Sequence, residues 1–419
     1  MRTGDLRRRL RNAPIPEEHE ARERSWRVVR AAYAERGPST TGASAPRRLA
    51  VALVAAAIVL AVVLTPAGAK VVDFVDDAVS PGARHAEPAL THLPGGGSVL
   101  VESTNGPWVV NSDGAKRLLG DYDAAAWSAG GRFVAVTAGR ELMAVEPTAT
   151  DAIHWSIPSA RPVTNPSWST SGVRVAYLSG DSLRVVAGDG TEDGLLARHV
   201  ASVTPEWRPQ RKPLPPDFQV SGVPRANLLA YVTSSGRVVV EDTDSGKVLL
   251  RSGDTAQRKG LAWSSDGKLL LSFTAHDLLT YDFASRARFP VAAGMPLSTQ
   301  LQTVAFQPGS HRVAAITTTA RSSGPRSSLL LGRPDTEKFL AQRPLSDPGR
   351  FSDLAWSPRG DWLLVGWSTA DQWLFFNPTT GRVTPVGDIA GQFDAGATSG
   401  VPFPRLAGWC CTALGTNSP

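Results

Sequence analysis

The 419-residue sequence predicts an all-β fold, a seven-bladed β-propeller, on three observations. One sequence motif recurs along the chain, and its successive copies start 41, 39, 56, 43, 50 and 53 residues apart. In addition, helical periodicity is nearly absent after residue 80. A period of about 40 to 45 residues with insertions is typical of four-stranded propeller blades. The repeats therefore predict the fold, and each element follows from them.

Each copy of the motif is a short apolar strand that ends in Trp, followed by Ser, a turn containing Gly, and a strand of β-forming residues. The clearest copies are AAAWSAGGRFVAV at Trp127, PSWSTSGVRVAYL at Trp168, LAWSSDGKLLLSF at Trp263 and LAWSPRGDWLLVG at Trp356. Weaker copies are TPEWRPQ at Trp207, VAFQPGSHRVAAI at Phe306 and RLAGWC at Trp409. A further apolar strand follows and ends in a cluster of Asn, Asp and Gly, which terminates strands and makes tight hairpins. Each unit thus supplies strands a, b, c and d.

The two ends of the repeat region complement each other. The segment Ser98 to Gly120 has strands b, c and d but no preceding Trp strand, while Arg405 to Cys410 is an a strand with nothing after it. Joined, they complete a seventh blade and remove the exposed sheet edges of an open ring. The sequence therefore predicts seven blades, with six or eight as alternatives.

The turn sequences Trp263-Ser264-Ser265-Asp266-Gly267 and Trp356-Ser357-Pro358-Arg359-Gly360 resemble those of bacterial WD-repeat-like or TolB-type propellers. The resemblance covers roughly residues 95–412, although the closing Trp-Asp pair is absent and Tyr281-Asp282 is its nearest counterpart. The anchored architecture also resembles proteins of high-GC, actinobacterial-type bacteria, and 37 Arg against 7 Lys agrees with such a source. The resemblance implies that partners often use one mouth of the ring.

The net charge of +6 lies at the N-terminus. Twelve of the 44 basic residues and six of the 38 acidic residues fall in residues 1–48, which leaves 32 of each for the rest of the chain. A nucleic-acid-binding domain would carry its basic surplus on the folded part. Nucleic acid is therefore not expected as a partner of the repeats.

Residues 48–69 are predicted to form one transmembrane helix. Leu49 to Leu64 carry no polar side-chain atom, and the uncharged run of 21 residues extends to Ala69. At about 1.5 Å per residue this run is roughly as long as the hydrocarbon core is thick. Arg47 and Arg48 flank its N-terminal end, which by the positive-inside rule places the N-terminus in the cytoplasm and the repeats outside the cell membrane. The alternative is a cleaved signal peptide with Ala67-Gly68-Ala69 as its cleavage site.

Residues 1–47 are predicted to be a cytoplasmic segment with an amphipathic helix over 16–36. Glu residues occupy its first turn, Arg residues lie near its end, and Gly37-Pro38 stops it. Its apolar face, formed by Trp26, Val29 and Tyr33, is suited to docking on a cytoplasmic protein or the anionic leaflet; the alternative is a solvated tail that only sets topology. A linker over 70–94, the propeller over 95–412 and a tail over 413–419 complete the expected organisation.

The sequence gives no sign of catalysis. The HExxH, CxxC, GxSxG and phosphate-loop motifs are all missing, and the His residues are scattered singly. We therefore expect no catalytic, metal-binding or cofactor-binding residues and no cofactor. The only cysteines, Cys410 and Cys411, are neighbours that bridge each other only with strain. They are expected to be one buried and one free thiol, with an intermolecular disulfide as the alternative.

Trp residues at the repeat position are expected to pack between blades, because regular recurrence is what such packing requires. Trp362, Trp367 and Trp373 fall off that position, and alternation along the strand predicts that Trp362 or Trp367 reaches the surface.

A partner surface is predicted on the mouth formed by d-to-a and b-to-c connections. Long connections cluster there late in the chain, at Ala292 to Thr303, Thr319 to Ser327, Leu345 to Ser352 and Gly387 to Pro404, and long connections are frequently binding elements. The candidate partner-binding residues are Arg321, Arg326, Arg350, Phe393 and Asp394, since Arg and aromatic side chains are enriched at interface hot spots. The Pro-rich stretch Arg208 to Pro224 lies on the opposite mouth as a spacer or docking segment.

Taken together, these features predict a membrane-anchored extracytoplasmic propeller that binds a protein, a peptide or an envelope glycan without catalysis. A different class is a single-pass, anti-sigma-like signalling regulator whose cytoplasmic helix is the effector and whose propeller is the sensor. A third is an enzyme with an active site dispersed on a propeller face.

Overall fold

The computed structural model describes residues 89–148, 153–209, 227–283, 288–290, 297–334, 342–394 and 402–411. Their 28 strands form seven antiparallel sheets of four strands each. The seven-bladed all-β propeller predicted from the repeats is therefore confirmed.

The strands follow the chain blade by blade. Blade 1 contains β1 (Ser98–Ser103), β2 (Gly106–Val110), β3 (Lys116–Leu118) and, from the other end of the chain, β28 (Arg405–Cys410). Blade 2 contains β4 (Ala124–Trp127), β5 (Val134–Ala138), β6 (Glu141–Val145) and β7 (Ile153–Pro158). Blade 3 contains β8 (Val163–Trp168), β9 (Arg174–Ser179), β10 (Ser182–Ala187) and β11 (Gly194–Ala197). Blade 4 contains β12 (Glu206–Trp207), β13 (Leu228–Val232), β14 (Val238–Asp242) and β15 (Val248–Arg251).

The remaining blades repeat this order. Blade 5 contains β16 (Gly260–Trp263), β17 (Leu269–Phe273), β18 (Leu278–Asp282) and β19 (Arg288–Pro290). Blade 6 contains β20 (Thr299–Phe306), β21 (Val313–Thr319), β22 (Arg326–Gly332) and β23 (Gln342–Pro348). Blade 7 contains β24 (Phe351–Trp356), β25 (Leu363–Trp367), β26 (Gln372–Phe376) and β27 (Val383–Val386), and the helix α1 (Ile389–Phe393) follows it.

The ring closes by pairing the two ends of the repeat region. β28 lies antiparallel to β1, with Val99 opposite Trp409 and Leu100 opposite Gly408. The a strands of all seven blades contact the a strands on both sides, so they form a closed inner circle around a central channel. The predicted sharing of blade 1 between the two ends is confirmed.

The core consists of seven clusters, one between each pair of neighbouring blades. Because a neighbour covers each face, middle strands are buried throughout and read as continuous apolar runs, as in β13, β17, β25 and β26. Outer strands such as β15 are largely exposed instead.

The recurrent Trp residues lie in this core, as predicted. Trp168, Trp207, Trp263, Trp356 and Trp409 are buried, and Trp127 is half-buried. Three indoles also donate to the carbonyl that precedes the aromatic residue of the preceding blade: Trp207 to Ser167 at 3.0 Å, Trp263 to Glu206 at 3.1 Å, and Trp356 to Ala305 at 3.3 Å. The repeated Trp therefore both fills the space between blades and joins consecutive inner strands.

The Ser that follows Trp stabilises the turn to the next strand. Its hydroxyl accepts the backbone N–H five residues ahead at Ser128, Ser169, Ser264 and Ser357, over 2.8 to 3.0 Å. Ser264 and Ser357 are fully buried. The Trp-Ser motif thus has a structural explanation in four blades.

Trp362, Trp367 and Trp373, the Trp residues of blade 7 outside the repeat position, are mostly buried. Trp367 and Trp373 are fully buried, and the Trp367 indole donates to the Pro348 carbonyl. Trp362 is half-buried against the cluster between blades 7 and 1. Both faces of β25 are covered, so Trp367 is buried, while Trp362, just before β25, keeps part of its surface exposed.

The predicted helix over 16–36, the apolar segment 48–69 and the tail 413–419 lie outside the described residues, as does most of the linker 70–94 and of the Pro-rich stretch. Within the part of the chain that the structure describes, no helix is long and apolar enough to cross a membrane. The packed region begins ahead of residue 95, because Leu90 and Leu93 are buried against blades 7 and 1.

The cysteine prediction is wrong. Cys410 and Cys411 form a disulfide with each other at the end of β28, and neither is a free thiol. Cys411 adopts a left-handed backbone conformation, with φ of 55°, that departs from the alternating strand geometry on which the prediction depended. The pair lies beside Gly131 in the first turn of blade 2.

Candidate functional site: the first mouth and the central channel

The two ends of the channel differ in the connections that surround them. The first mouth carries the b-to-c turns and the d-to-a connections, and the second mouth carries the a-to-b and c-to-d turns. This assignment follows from the antiparallel order of each blade, in which a and c run one way and b and d the other.

Two of the five candidate rim residues lie exposed on the first mouth. Arg321 is in the b-to-c turn of blade 6, and Arg350 joins blade 6 to blade 7. Arg326 begins β22 and is half-buried, and its guanidinium donates to the Ser346 carbonyl over 3.0 Å. The structure therefore brings two exposed arginines to the predicted mouth.

Phe393 and Asp394 belong to the core rather than to the rim. Phe393 is 1% exposed and packs 5.9 Å from Trp108 and 5.3 Å from Trp373 between ring centroids. Asp394 is 2% exposed, and its Oδ1 accepts the Thr104 hydroxyl over 2.8 Å. Because α1 folds inward and fastens the last connection onto blade 1, neither side chain is available to a partner in this conformation.

Three of the four late connections are shorter than predicted, whereas Gly387 to Pro404 keeps its predicted bounds between β27 and β28. β23 extends to Pro348 and β24 begins at Phe351, so only two residues join blades 6 and 7. The strands of blade 6 are rich in Thr, Ser and Gln, as in TQLQTVAF. Because these residues are polar, the ends of the strands resemble connections in the sequence.

The a strands share a repeat position just before the recurrent aromatic residue. That position holds a small residue in six blades: Ala126, Ser167, Ala262, Ala305, Ala355 and Gly408. In blade 4 the same position holds Glu206. Blade 4 therefore has a carboxylate at a repeat position where the other six blades have a small residue.

Glu206 has no polar partner among the described residues. Its side chain keeps some accessible surface, yet burial raises its pKa to about 8, with no other cause contributing. Free energy is needed to ionise a carboxyl group in such a place.

A hydrogen bond between two neutral polar residues joins blades 3 and 4. The Asn165 side-chain amide donates to the Thr204 hydroxyl over 3.1 Å. Asn165 lies two residues before Ser167 in blade 3, and Thr204 lies two residues before Glu206 in blade 4. Asn165 lies at an irregularity of β8 with a φ of 54°, a left-handed conformation that Asn tolerates better than most residues.

A second acidic group lies at the first-mouth end, between blades 7, 1 and 2. Glu102 Oε1 accepts the Ala125 N–H over 2.9 Å, and Glu102 lies 4.0 Å from the guanidinium of Arg405, which is 73% exposed. Burial raises the pKa values of Glu102 and Asp353, and Arg405 opposes both shifts. The channel entrance is therefore acidic, with one exposed arginine as its counter-charge.

The sequence contains a signal that singles out Glu206. Comparing the residue before each repeated aromatic would have singled out TPEWRPQ, the only copy with a charge there. Glu102 and Asp353 carried no such signal, since only the ring closure brings β1, β24 and β28 together.

The described residues contain no group of three or more His, Cys, Asp or Glu side chains placed to hold a metal ion.

Comparisons with known proteins add little to these observations. No protein-family model matches the sequence, and no curated protein matches it. Among solved structures, hydrazine synthase of Kuenenia stuttgartiensis matches with 12% sequence identity and a TM-score of 0.43, covering 65% of this chain and 79% of that one. A likeness of this extent carries no inference about what this chain does.

Proposed function

We propose that this protein is a non-catalytic binding or scaffold module whose partner, a protein, a peptide or an envelope glycan, docks on the first mouth of the propeller. The observation that carries the proposal is the closed ring of seven blades, which gives a rigid platform with a channel and an exposed rim. Rigid scaffolds that present turns at one end commonly bind there.

The first mouth offers charges of both signs to a partner. It carries Arg321 and Arg350 on the rim, and Glu102, Asp353 and Arg405 at the channel entrance. Desolvated acids beside exposed arginines offer both signs of charge to a polar partner, which favours specificity.

The proposal includes a single membrane anchor at residues 48–69, with the N-terminus in the cytoplasm and the propeller outside. Its support is the uncharged run Leu49 to Ala69 with Arg47 and Arg48 before it. The TolB-type or WD-like assignment and a bacterial source remain part of this proposal, supported by the turn sequences and the propeller fold.

A signalling regulator is the second candidate. The helix expected over 16–36, with Trp26, Val29 and Tyr33 on one face, favours an effector role in the cytoplasm.

Protease added to intact spheroplasts tests the anchored orientation. We expect the propeller to be digested and a fragment that ends near residue 70 to remain protected, because the membrane shields the N-terminal segment. A full-length protein that stays intact until the membrane is permeabilised would contradict the orientation, and complete release of the propeller without protease would favour the cleaved signal peptide.

A further inference from the structure

Three arginines lie together on the first mouth, where blade 6 meets blade 7. Arg321 is in the b-to-c turn of blade 6, Arg326 begins β22, and Arg350 is in the link between the two blades. The backbone joins the turn to the link, because the Pro325 carbonyl accepts the Gly349 N–H over 2.7 Å. We call Arg321, Arg326 and Arg350 the basic rim.

The turn of blade 6 extends further toward the first mouth than the turn of blade 5. β21 runs from the residue opposite Phe306 to Thr319, whereas β17 runs from the residue opposite Trp263 only to Phe273. At about 3.3 Å per residue, the additional strand length is roughly 10 Å. Residues 320–323 at the tip are all exposed. The turn is therefore accessible to a large partner.

Hydrogen bonds fix the backbone of the basic rim. The Ser327 hydroxyl donates to the Gly349 carbonyl over 3.0 Å. The Arg350 N–H donates to the Thr369 hydroxyl over 3.0 Å, and the Arg350 carbonyl accepts the Ser368 N–H over 3.0 Å. Because these segments are already ordered, a ligand that binds here does not have to order them.

No carboxylate of the described residues forms an ion pair with the basic rim, although acidic residues lie near it. Asp347 of β23 is buried, and Asp371 in the b-to-c turn of blade 7 uses its Oδ1 to accept the Ala390 N–H over 2.8 Å. On the side of blade 5, Asp277 accepts the Thr274 hydroxyl over 3.5 Å. The three guanidinium groups therefore lack a partner carboxylate within the described part of the chain.

The groups at the basic rim favour a peptide ligand over a sugar. The planar guanidinium of Arg matches a carboxylate with two parallel N–H donors. Residues 320–326, 349–350 and 368–370 include no aromatic residue, so a sugar ring has no flat apolar surface to stack on. The hydroxyls of Ser322, Ser323 and Thr369 can donate to peptide carbonyl groups.

We propose that the basic rim binds an acidic segment of a partner protein, whose Asp or Glu carboxylates pair with Arg321, Arg326 and Arg350. This inference rests on the proposed binding function and names the chemistry of the partner at the first mouth. Opposite charges speed the encounter of two proteins and favour the correct partner over others.

The test is binding of fluorescently labelled hexaglutamate to the full-length protein, measured by fluorescence anisotropy. We expect binding at 0.1 M salt and much weaker binding at 1 M, because the Debye length falls from about 10 Å to about 3 Å. A neutral Gly/Ser hexapeptide with the same label should not bind at either salt concentration.

The double variant Arg321→Gln/Arg350→Gln should weaken hexaglutamate binding about 5- to 10-fold, since two exposed ion pairs with the ligand are lost. Arg382→Gln is the matched control. Arg382 is also exposed and makes no ion pair among the described residues, but it lies in the c-to-d turn of blade 7 on the second mouth. The control should bind as the wild type does, and both variants should keep the wild-type melting temperature.

Absence of hexaglutamate binding at 0.1 M salt, or equal binding by the wild type and the double variant, would overturn the inference. An equal loss of binding in Arg382→Gln would also overturn it, because the attraction would then come from the charge of the whole protein. Tighter binding of hyaluronate than of hexaglutamate at equal carboxylate concentration would replace the acidic peptide with an anionic glycan. None of these results would decide the proposed function, because capture of a cellular partner at the first mouth does not depend on the charge of a probe.

Discussion

Deletion of residues 405–419 is expected to abolish the cooperative unfolding transition of the propeller. The deletion removes β28, the a strand of blade 1, and exposes the buried residues Val99, Leu100 and Val101 of β1. Loss of Trp409 alone should cost about 3–5 kcal/mol. Added to the lost pairing and an opened ring, this is comparable to the whole stability of a typical domain, about 5–15 kcal/mol.

The measurement is thermal or denaturant unfolding followed by Trp fluorescence. Deletion of residues 413–419, which keeps β28 and the cysteine pair, is the matched control and should unfold like the full chain. A chain cut at residue 404 that melts at the wild-type temperature would show that the ring does not depend on strand sharing.

Trp263→Ala should destabilise the protein by about 3–5 kcal/mol, the usual cost of removing a large buried aromatic. Trp263 is 7% exposed, lies in the cluster between blades 4 and 5, and its ring centroid is 4.9 Å from that of Phe283. The substitution leaves a cavity and also removes the bond from the indole to the Glu206 carbonyl. Denaturant unfolding measures the loss.

Trp263→Phe separates the two contributions. It retains most of the packing but loses the indole N–H, so it should cost about 1–3 kcal/mol, within the range for a buried acceptor left without its donor. If Trp263→Ala had wild-type stability, the repeated Trp would not be a packing residue and a role in ligand binding would have to replace it.

The fold was readable from the sequence because its determinants are local and repeated. The residue pair Trp263-Ser264 recurs in other blades, and each member has a fixed task, the Trp between blades and the Ser in the turn. Strand sharing was readable for the same reason, since Ser98 to Gly120 and Arg405 to Cys410 are complementary parts of one unit.

Features that depend on one particular backbone path were not readable. Phe393 looked like a surface residue of a long connection, but α1 turns it inward against Trp108 and Trp373. The bond between Cys410 and Cys411 accompanies a left-handed conformation at Cys411 that no pattern of neighbouring residues indicates. Glu206 was readable in principle, by aligning the repeats one residue before the aromatic.

The central claim, that the first mouth is the partner surface, is tested most directly by site-specific photo-crosslinking in intact cells. A photo-reactive residue would replace Arg321 or Arg350 on the first mouth, and Lys268 or Arg359, which lie in exposed a-to-b turns, on the second. The account predicts that one partner is captured from both first-mouth positions and from neither second-mouth position. Capture from the second mouth alone, or from no position on either mouth, would contradict it.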